Sequence, residues 1–277
     1  MTSGEPAGEV ALSRTVPDAA IVAALRAAGC VFAEDEARLL VAGARGPDEL
    51  AAMVAERVGG LPLEYVLGWA DFCGLRLAID PGVFVPRRRT ELLARQVVAI
   101  AGERAKQRVV VADLCCGSGA VGAAVIAGLA GLSVRVELHA SDIDPVAVGC
   151  ARRNIPAANG QVYEGDLYTP LPATLQGRVD VLVANAPYVP TEAIELLPQE
   201  ARVYEPRIAL DGGADGLDVL RRVIAGAPGW LAPGGSVLFE TSDCQEPLAV
   251  EALTLAGLTA RVCSSDELGA TVVIGTC

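Results

Sequence analysis

A chain of 277 residues that is 52% hydrophobic can bury a large core, and its formal net charge of −12 argues against a protein whose main task is gripping a phosphate backbone, which needs a basic face. Aromatics are only 4% and mean hydropathy is +0.41, so the core is built from Ala, Val and Leu; charged, Gly or Pro residues interrupt every apolar run before the roughly 18 residues a membrane span requires. Eight cysteines with no CxxC pair and a single histidine, His139, argue against a metal centre and against Ser/His or Cys/His catalysis, and fit small buried thiols in a reducing compartment.

The N-terminal MTSGEPAGEV has neither the basic nor the apolar region of a signal peptide, so a cytoplasmic protein with no membrane partner is expected. Residues up to about 16 are expected to be a flexible leader. Three amphipathic patterns follow: Pro17 and Asp18 to Gly29, EDEARLLVAGA, and Pro47 and Asp48 to Gly59. Their first-turn acids and terminal glycines mark a small helical domain over residues 1–69. Between 70 and 86, alternation on either side of Cys73 and Gly74 predicts a β-hairpin linker. The Arg87, Arg88, Arg89 run is expected to be a solvated face, and Thr90 to cap a helix from Glu91 to Ala105.

From residue 87 to 277 strands and helices alternate. Strands are expected near 108–115, 134–142, 161–166, 179–185, 235–241, 259–264 and 270–276, with helices near 118–130, 145–154, 216–230 and 246–257. Such alternation gives a mostly parallel α/β sheet with helices on both faces, and ligands bind beyond the carboxyl ends of its strands. Each strand end carries chemistry. Gly117 and Gly119 in DLCCGSGAVG allow close approach of backbone N–H groups to a ligand at a helix N-terminus. Asp142 closes the next strand, where a carboxylate can accept both hydroxyls of a ribose, and Asp166 the next, where it can accept from an adenine amino group. Asp144 before Pro145 is expected to cap a helix. Gly117, Gly119 and Gly122 also spell GxGxxG with Asp142 twenty positions on, the pattern of a dinucleotide enzyme, although Asp113 and two cysteines widen the loop beyond the tight turn a pyrophosphate needs.

The most informative stretch is VDVLVANAPY, Val179 to Tyr188: a buried-strand pattern that breaks into Asn185, Ala186, Pro187 and Tyr188. Pro187 has no N–H and holds Ala186 extended, which frees nearby carbonyls; a primary amide and a phenol ring complete a site suited to a planar NH2-bearing group.

PLEYVLG, VPRRRTELL, DLCCGSGAVG, SDIDP, GDLY, NAPY and YEPRIALDGGADGLDVLRRV together resemble the class I S-adenosylmethionine-dependent methyltransferases, and among them the HemK-type protein glutamine methyltransferases that modify release factors. The resemblance implies a Rossmann-like, seven-stranded, mostly parallel sheet behind a helical N-terminal domain. It implies S-adenosylmethionine held by Asp113, Cys115, Gly117, Gly119, Asp142, Ile143, Asp166, Leu167 and Asn185, with S-adenosylhomocysteine as product and no metal. Asn185, Ala186, Pro187 and Tyr188 would form the catalytic corner; Arg87, Thr90 and Glu91 would lie at the acceptor entrance. The partner implied is a release factor or a similar glutamine-bearing loop. Four positions depart from the family pattern: Ala186 stands where proline is usual, giving NAPY for NPPY; PRRRTE replaces PRPDTE; Cys115 replaces a glycine; and the tail SSDELGATVVIG lacks the usual acidic and Arg pattern. Methylation of a small-molecule amide or amine, of a flipped nucleic-acid base, or cofactor binding without turnover remain alternative functions at this stage.

Overall fold

The computed structural model describes residues 18–104 and 108–277, so the expected leader lies outside the described residues. Two compact units divide after Leu67. The first holds α1 (Ala19–Ala27), α2 (Ala33–Gly43), α3 (Pro47–Val58) and α4 (Leu63–Leu67). Asp18 caps α1 by accepting from the Ala20 N–H, and Pro47 opens α3, where its missing donor costs nothing. Leu25, Ala33, Ala37, Leu40 and Met53 form its core, beside a buried pair between Arg57 and Glu36.

The second unit begins with a hairpin, β1 (Trp69–Phe72) and β2 (Leu75–Ala78). This hairpin is no free linker: Phe72 and Leu77 join the main core, and the Asn154 amide bonds both the N–H and the C=O of Ala78 at 2.8 Å. Next come α5 (Glu91–Glu103), β3 (Arg108–Leu114), α6 (Ala120–Gly131), β4 (Arg135–Asp142), α7 (Pro145–Asn154), β5 (Gly160–Glu164) and β6 (Val179–Ala184). The chain closes with α8 (Gln199–Tyr204), α9 (Asp218–Trp230), β7 (Leu231–Thr241), α10 (Glu246–Leu255), β8 (Thr259–Ser265) and β9 (Ala270–Thr276).

The seven long strands form one sheet in the order β5-β4-β3-β6-β7-β9-β8, all running the same way except β9, which is antiparallel to both its neighbours. Helices cover both faces, and two cores result: α5 and α6 pack on one face around Val109, Val111, Val125 and Leu138, α9 and α10 on the other around Leu182, Leu220, Phe239 and Leu253. All six residues of β6 are buried, including Asp180, whose carboxylate takes the Arg104 guanidinium at 2.9 Å and the Val110 N–H at 3.0 Å. Among the described residues no helix is long and apolar enough to cross a membrane.

Three local expectations change. Thr90 sits ahead of α5 in helical conformation and caps nothing, because Arg88–Thr90 already forms a 3-10 turn that runs into the helix. The arginine run is not one solvated face: Arg87 and Arg89 reach buried carboxylates, and only Arg88 is largely exposed. The expected strand at 235–241 starts at Leu231, since Val179 pairs with Leu231 before a bulge resets the register.

Candidate active site

A cavity of about 470 Å³ opens at the carboxyl ends of β3, β4, β5 and β6. It is lined by Asp113, Cys115, Gly117, Asp142, Ile143, Asp166, Leu167 and Asn185, together with Ala186, Pro187, Tyr188, Arg87 and Thr90. Two residues expected there are elsewhere. Gly119 packs: a Cβ on it would meet Ile155 at 2.9 Å and Ala151 at 3.1 Å, so the missing side chain lets α7 approach. Gly122 is likewise a packing glycine, 2.7 Å from Leu138 by the same construction. Glu91 is engaged elsewhere, accepting from the Cys73 N–H at 3.2 Å and pairing with Arg95 at 2.8 Å.

The loop after β3 is shaped by left-handed backbone at Cys115 (φ 54°) and Gly117 (φ 55°). A cysteine there carries strain that the glycine usual in the family would avoid. The Gly117 N–H donates to Asp142 Oδ2 at 2.8 Å, and the Asp144 N–H to Asp142 Oδ1 at 3.0 Å. Backbone N–H groups therefore fix both oxygens of Asp142, which lines the cavity. Asp144 also caps α7, accepting from Val146 at 2.8 Å.

Asp113 is buried and accepts from the Gly122 N–H at 3.0 Å. Burial pushes its carboxyl up to about 7, against the lowering effect of that hydrogen bond. In the unfolded chain it ionises near 4, so between roughly pH 4 and 7 the folded state binds the extra proton, and stability from this group falls as pH rises through that window. The wild-type melting temperature should therefore drop more between pH 5 and 8 than that of Asp113→Asn. The difference should amount to at most about 3 kcal/mol; parallel pH profiles for the two would refute it.

At the tip of β6, Asn185 Oδ1 is buried with no hydrogen-bond partner among the described residues, and so is Thr90 Oγ1 on the same cavity. An orphaned buried acceptor costs about 1–3 kcal/mol, so a site that keeps one is set for a donor to arrive. Tyr188 lines the cavity while its hydroxyl donates to Glu240 Oε1 at 2.9 Å; burial pushes the phenol well up, so it stays protonated. Arg89 Nε donates to the same Glu240 oxygen at 2.9 Å, with its guanidinium 5.6 Å from the Tyr188 ring centre. Glu205 binds Arg87 and the Val85 N–H in the same manner.

Glu240 is 2% exposed and Arg89 46%, so Arg89→Ala would strand a buried charge. It should cost about 1–3 kcal/mol after allowing for the exposed side of the pair. Thermal melts should show part of that loss restored in Arg89→Ala/Glu240→Gln; no restoration would mean that the pair is not the cause.

The corner is held from behind by residues 210–216. Val189 N–H donates to Leu210 C=O at 3.0 Å, Gly212 N–H to Val189 C=O at 2.8 Å, and the Gln245 amide donates to the Tyr188 carbonyl at 2.8 Å and the Asp215 carbonyl at 2.9 Å. A Cβ at Gly212 would lie 2.7 Å from the Pro187 carbonyl oxygen, and one at Gly216 2.3 Å from that of Tyr188. Glu205, Glu240, Gln245 and Arg222 were not singled out from sequence. The visible signal for Glu240 was an acid ending an otherwise apolar run, GSVLFET.

Residues 74–210 match the family model described as methyltransferase small domain. Among curated proteins the chain is 35% identical over 234 residues to the release factor glutamine methyltransferase of Geobacter sulfurreducens, covering 83% of this chain and 78% of that one. It is 36% identical over 258 residues to the protein of the same name from Mycolicibacterium smegmatis, covering 87% and 88%. Among solved structures, the hMettl16 catalytic domain aligns over 82% of this chain and 81% of its own, with a TM-score of 0.55 at 16% identity. A methyltransferase from Pyrococcus furiosus aligns over 73% and 89%, with a TM-score of 0.50 at 17% identity. These two show the fold alone, which is the class I methyltransferase fold that the resemblance of the motifs implied. With identity of this level spread along most of its length, the chain belongs to the release factor glutamine methyltransferase family.

Proposed function

We propose that this protein transfers a methyl group from S-adenosylmethionine to the side-chain amide nitrogen of a glutamine in a peptide chain release factor. The name carried by its relatives supports this reading, and so does the orphaned Asn185 oxygen in the strand-tip cavity, the observation on which it chiefly rests. S-adenosylmethionine, when bound, supplies an electrophilic methyl on a sulfonium and leaves as the thioether S-adenosylhomocysteine. The backbone-held Asp142 carboxylate suits the ribose hydroxyls and Asp166 the adenine amino group, with Ile143 and Leu167 as apolar walls on the same cavity.

An amide nitrogen is a weak nucleophile because its lone pair is delocalised into the carbonyl. In the proposed mechanism Asn185 Oδ1 and the Ala186 carbonyl each accept one N–H of the substrate amide. They orient the nitrogen and stabilise the positive charge that develops on it in a site shielded from water. The Tyr188 ring walls the amide plane and Pro187 fixes the corner; as the N–C bond forms the S–C bond breaks to the neutral thioether, and the methylated nitrogen then releases one proton to solvent water. Arg87 and Thr90 line the acceptor side. No residue has to act as a strong base, in keeping with His139 lying in β4 and bonded to Tyr163 and Glu137.

The acceptor is a protein on this reading, and the acidic surface of the chain disfavours a nucleic acid. A cytoplasmic reaction is part of the same proposal, supported by eight free thiols. The test is transfer from methyl-labelled cofactor into a release factor bearing Gly-Gly-Gln, beside the same factor with Gln→Ala, a DNA oligonucleotide and free glutamine. Label in the intact factor alone is expected; label in the Ala variant, the oligonucleotide or the free amino acid would overturn the assignment.

A further inference from the structure

The turn carrying Asp166 is docked on α9. Its backbone is fixed by the Gly165 N–H to the Asp142 carbonyl at 2.8 Å and by Ser141 Oγ to the Leu167 carbonyl at 2.8 Å. Tyr168 bonds the Val223 carbonyl and stacks on Trp230 with ring centres 5.4 Å apart, and Gly226 makes room: a Cβ there would strike the Tyr168 ring at 2.4 Å. The side chain of Asp166 is then held by Arg222, which lines the cavity with it. Its neighbour Arg221 is turned to Asp215 and Asp218 instead. Two adjacent arginines on one helix thus have different tasks, and only Arg222 faces the cavity.

Asp166 has an oxygen on the guanidinium and a second oxygen free of that contact. An acceptor on which a purine is to be sorted must be fixed in direction. A charge-assisted hydrogen bond from an arginine fixes it, and it does not rotate away as a lysine ammonium would. Adenine offers an amino donor at position 6, whereas hypoxanthine offers a carbonyl oxygen there. A pinned carboxylate attracts the first and repels the second.

We infer that Arg222 is a positioning residue for base selectivity: it holds the Asp166 carboxylate where it accepts the adenine amino group of the cofactor. This rests on the cofactor assignment proposed above, and the experiment separates the two. Calorimetric titration of the full chain is performed with S-adenosylhomocysteine and with S-inosylhomocysteine, which differs only in the base. The wild type should prefer the adenine compound at least about tenfold.

Arg222→Gln should lose most of that preference by weakening the adenine compound alone, and Arg222→Lys should keep a part of it. Asp166→Asn should lose it too, with Asp166→Asn/Arg222→Gln no weaker than Asp166→Asn. Arg222 is more than half exposed, so its variants should fold, which a thermal melt verifies. Equal weakening of both compounds by Arg222→Gln, or unchanged binding of both, would overturn this inference and leave the cofactor assignment standing. A wild type that binds neither would overturn both.

Discussion

Asn185→Ala should reduce methyl transfer by about 10²–10³-fold or more, while S-adenosylhomocysteine binds within a few-fold of wild type. The variant removes an acceptor that the proposed mechanism uses only for the substrate amide. It also removes a buried oxygen with no partner among the described residues, so the protein should become no less stable, and more stable by up to about 1–3 kcal/mol. A gain in melting temperature together with a loss of turnover is an unusual pair of outcomes, because a structural role for Asn185 would lower both. Asn185→Gln refines the test: it keeps the amide but moves it outward by one methylene. A misplacement of about 1 Å can cost about 10²-fold when catalysis is mostly orientation. Turnover of Asn185→Ala near the wild-type level, measured with labelled cofactor, would remove the mechanism.

Gly212→Ala should be nearly as damaging to transfer, although residue 212 does not line the cavity. The added Cβ would lie 2.4 Å from the Gly216 carbonyl oxygen and 2.7 Å from that of Pro187, and contacts below 3.0 Å to backbone cannot be relieved by a rotamer change. Residue 212 is not in the left-handed region, so the obstacle is crowding alone, and the strand of loop it pushes is the one that sets Pro187 and Tyr188. Displacement of the corner by a few tenths of an ångström up to an ångström should lower kcat about 10–10²-fold and raise the KM of the acceptor. S-adenosylhomocysteine affinity should stay within a few-fold, since Asp142 and Asp166 stand on β4 and just after β5, away from the clash. An alanine variant with wild-type kcat and acceptor KM would show that this clamp does not set the corner.

The sequence by itself determined the sheet, its strand ends and the corner. Apolar β-branched runs such as VDVLVA predict a buried strand, and Asp142, Asp166 and Asn185 were legible because each stands where such a run gives way to turn residues. Local chemistry also decided Asp144 as a cap, since that depends on two residues of separation. Only the tertiary structure decided what stands opposite. Glu240 is 52 positions from Tyr188 and 151 from Arg89, Arg222 is 56 from Asp166, and Gly212 meets Pro187 through a loop whose sequence shows no period. Partners across such distances are chosen by which strands and helices lie side by side. An arginine whose charge is spent on a buried carboxylate therefore looks, in sequence, the same as one left in water.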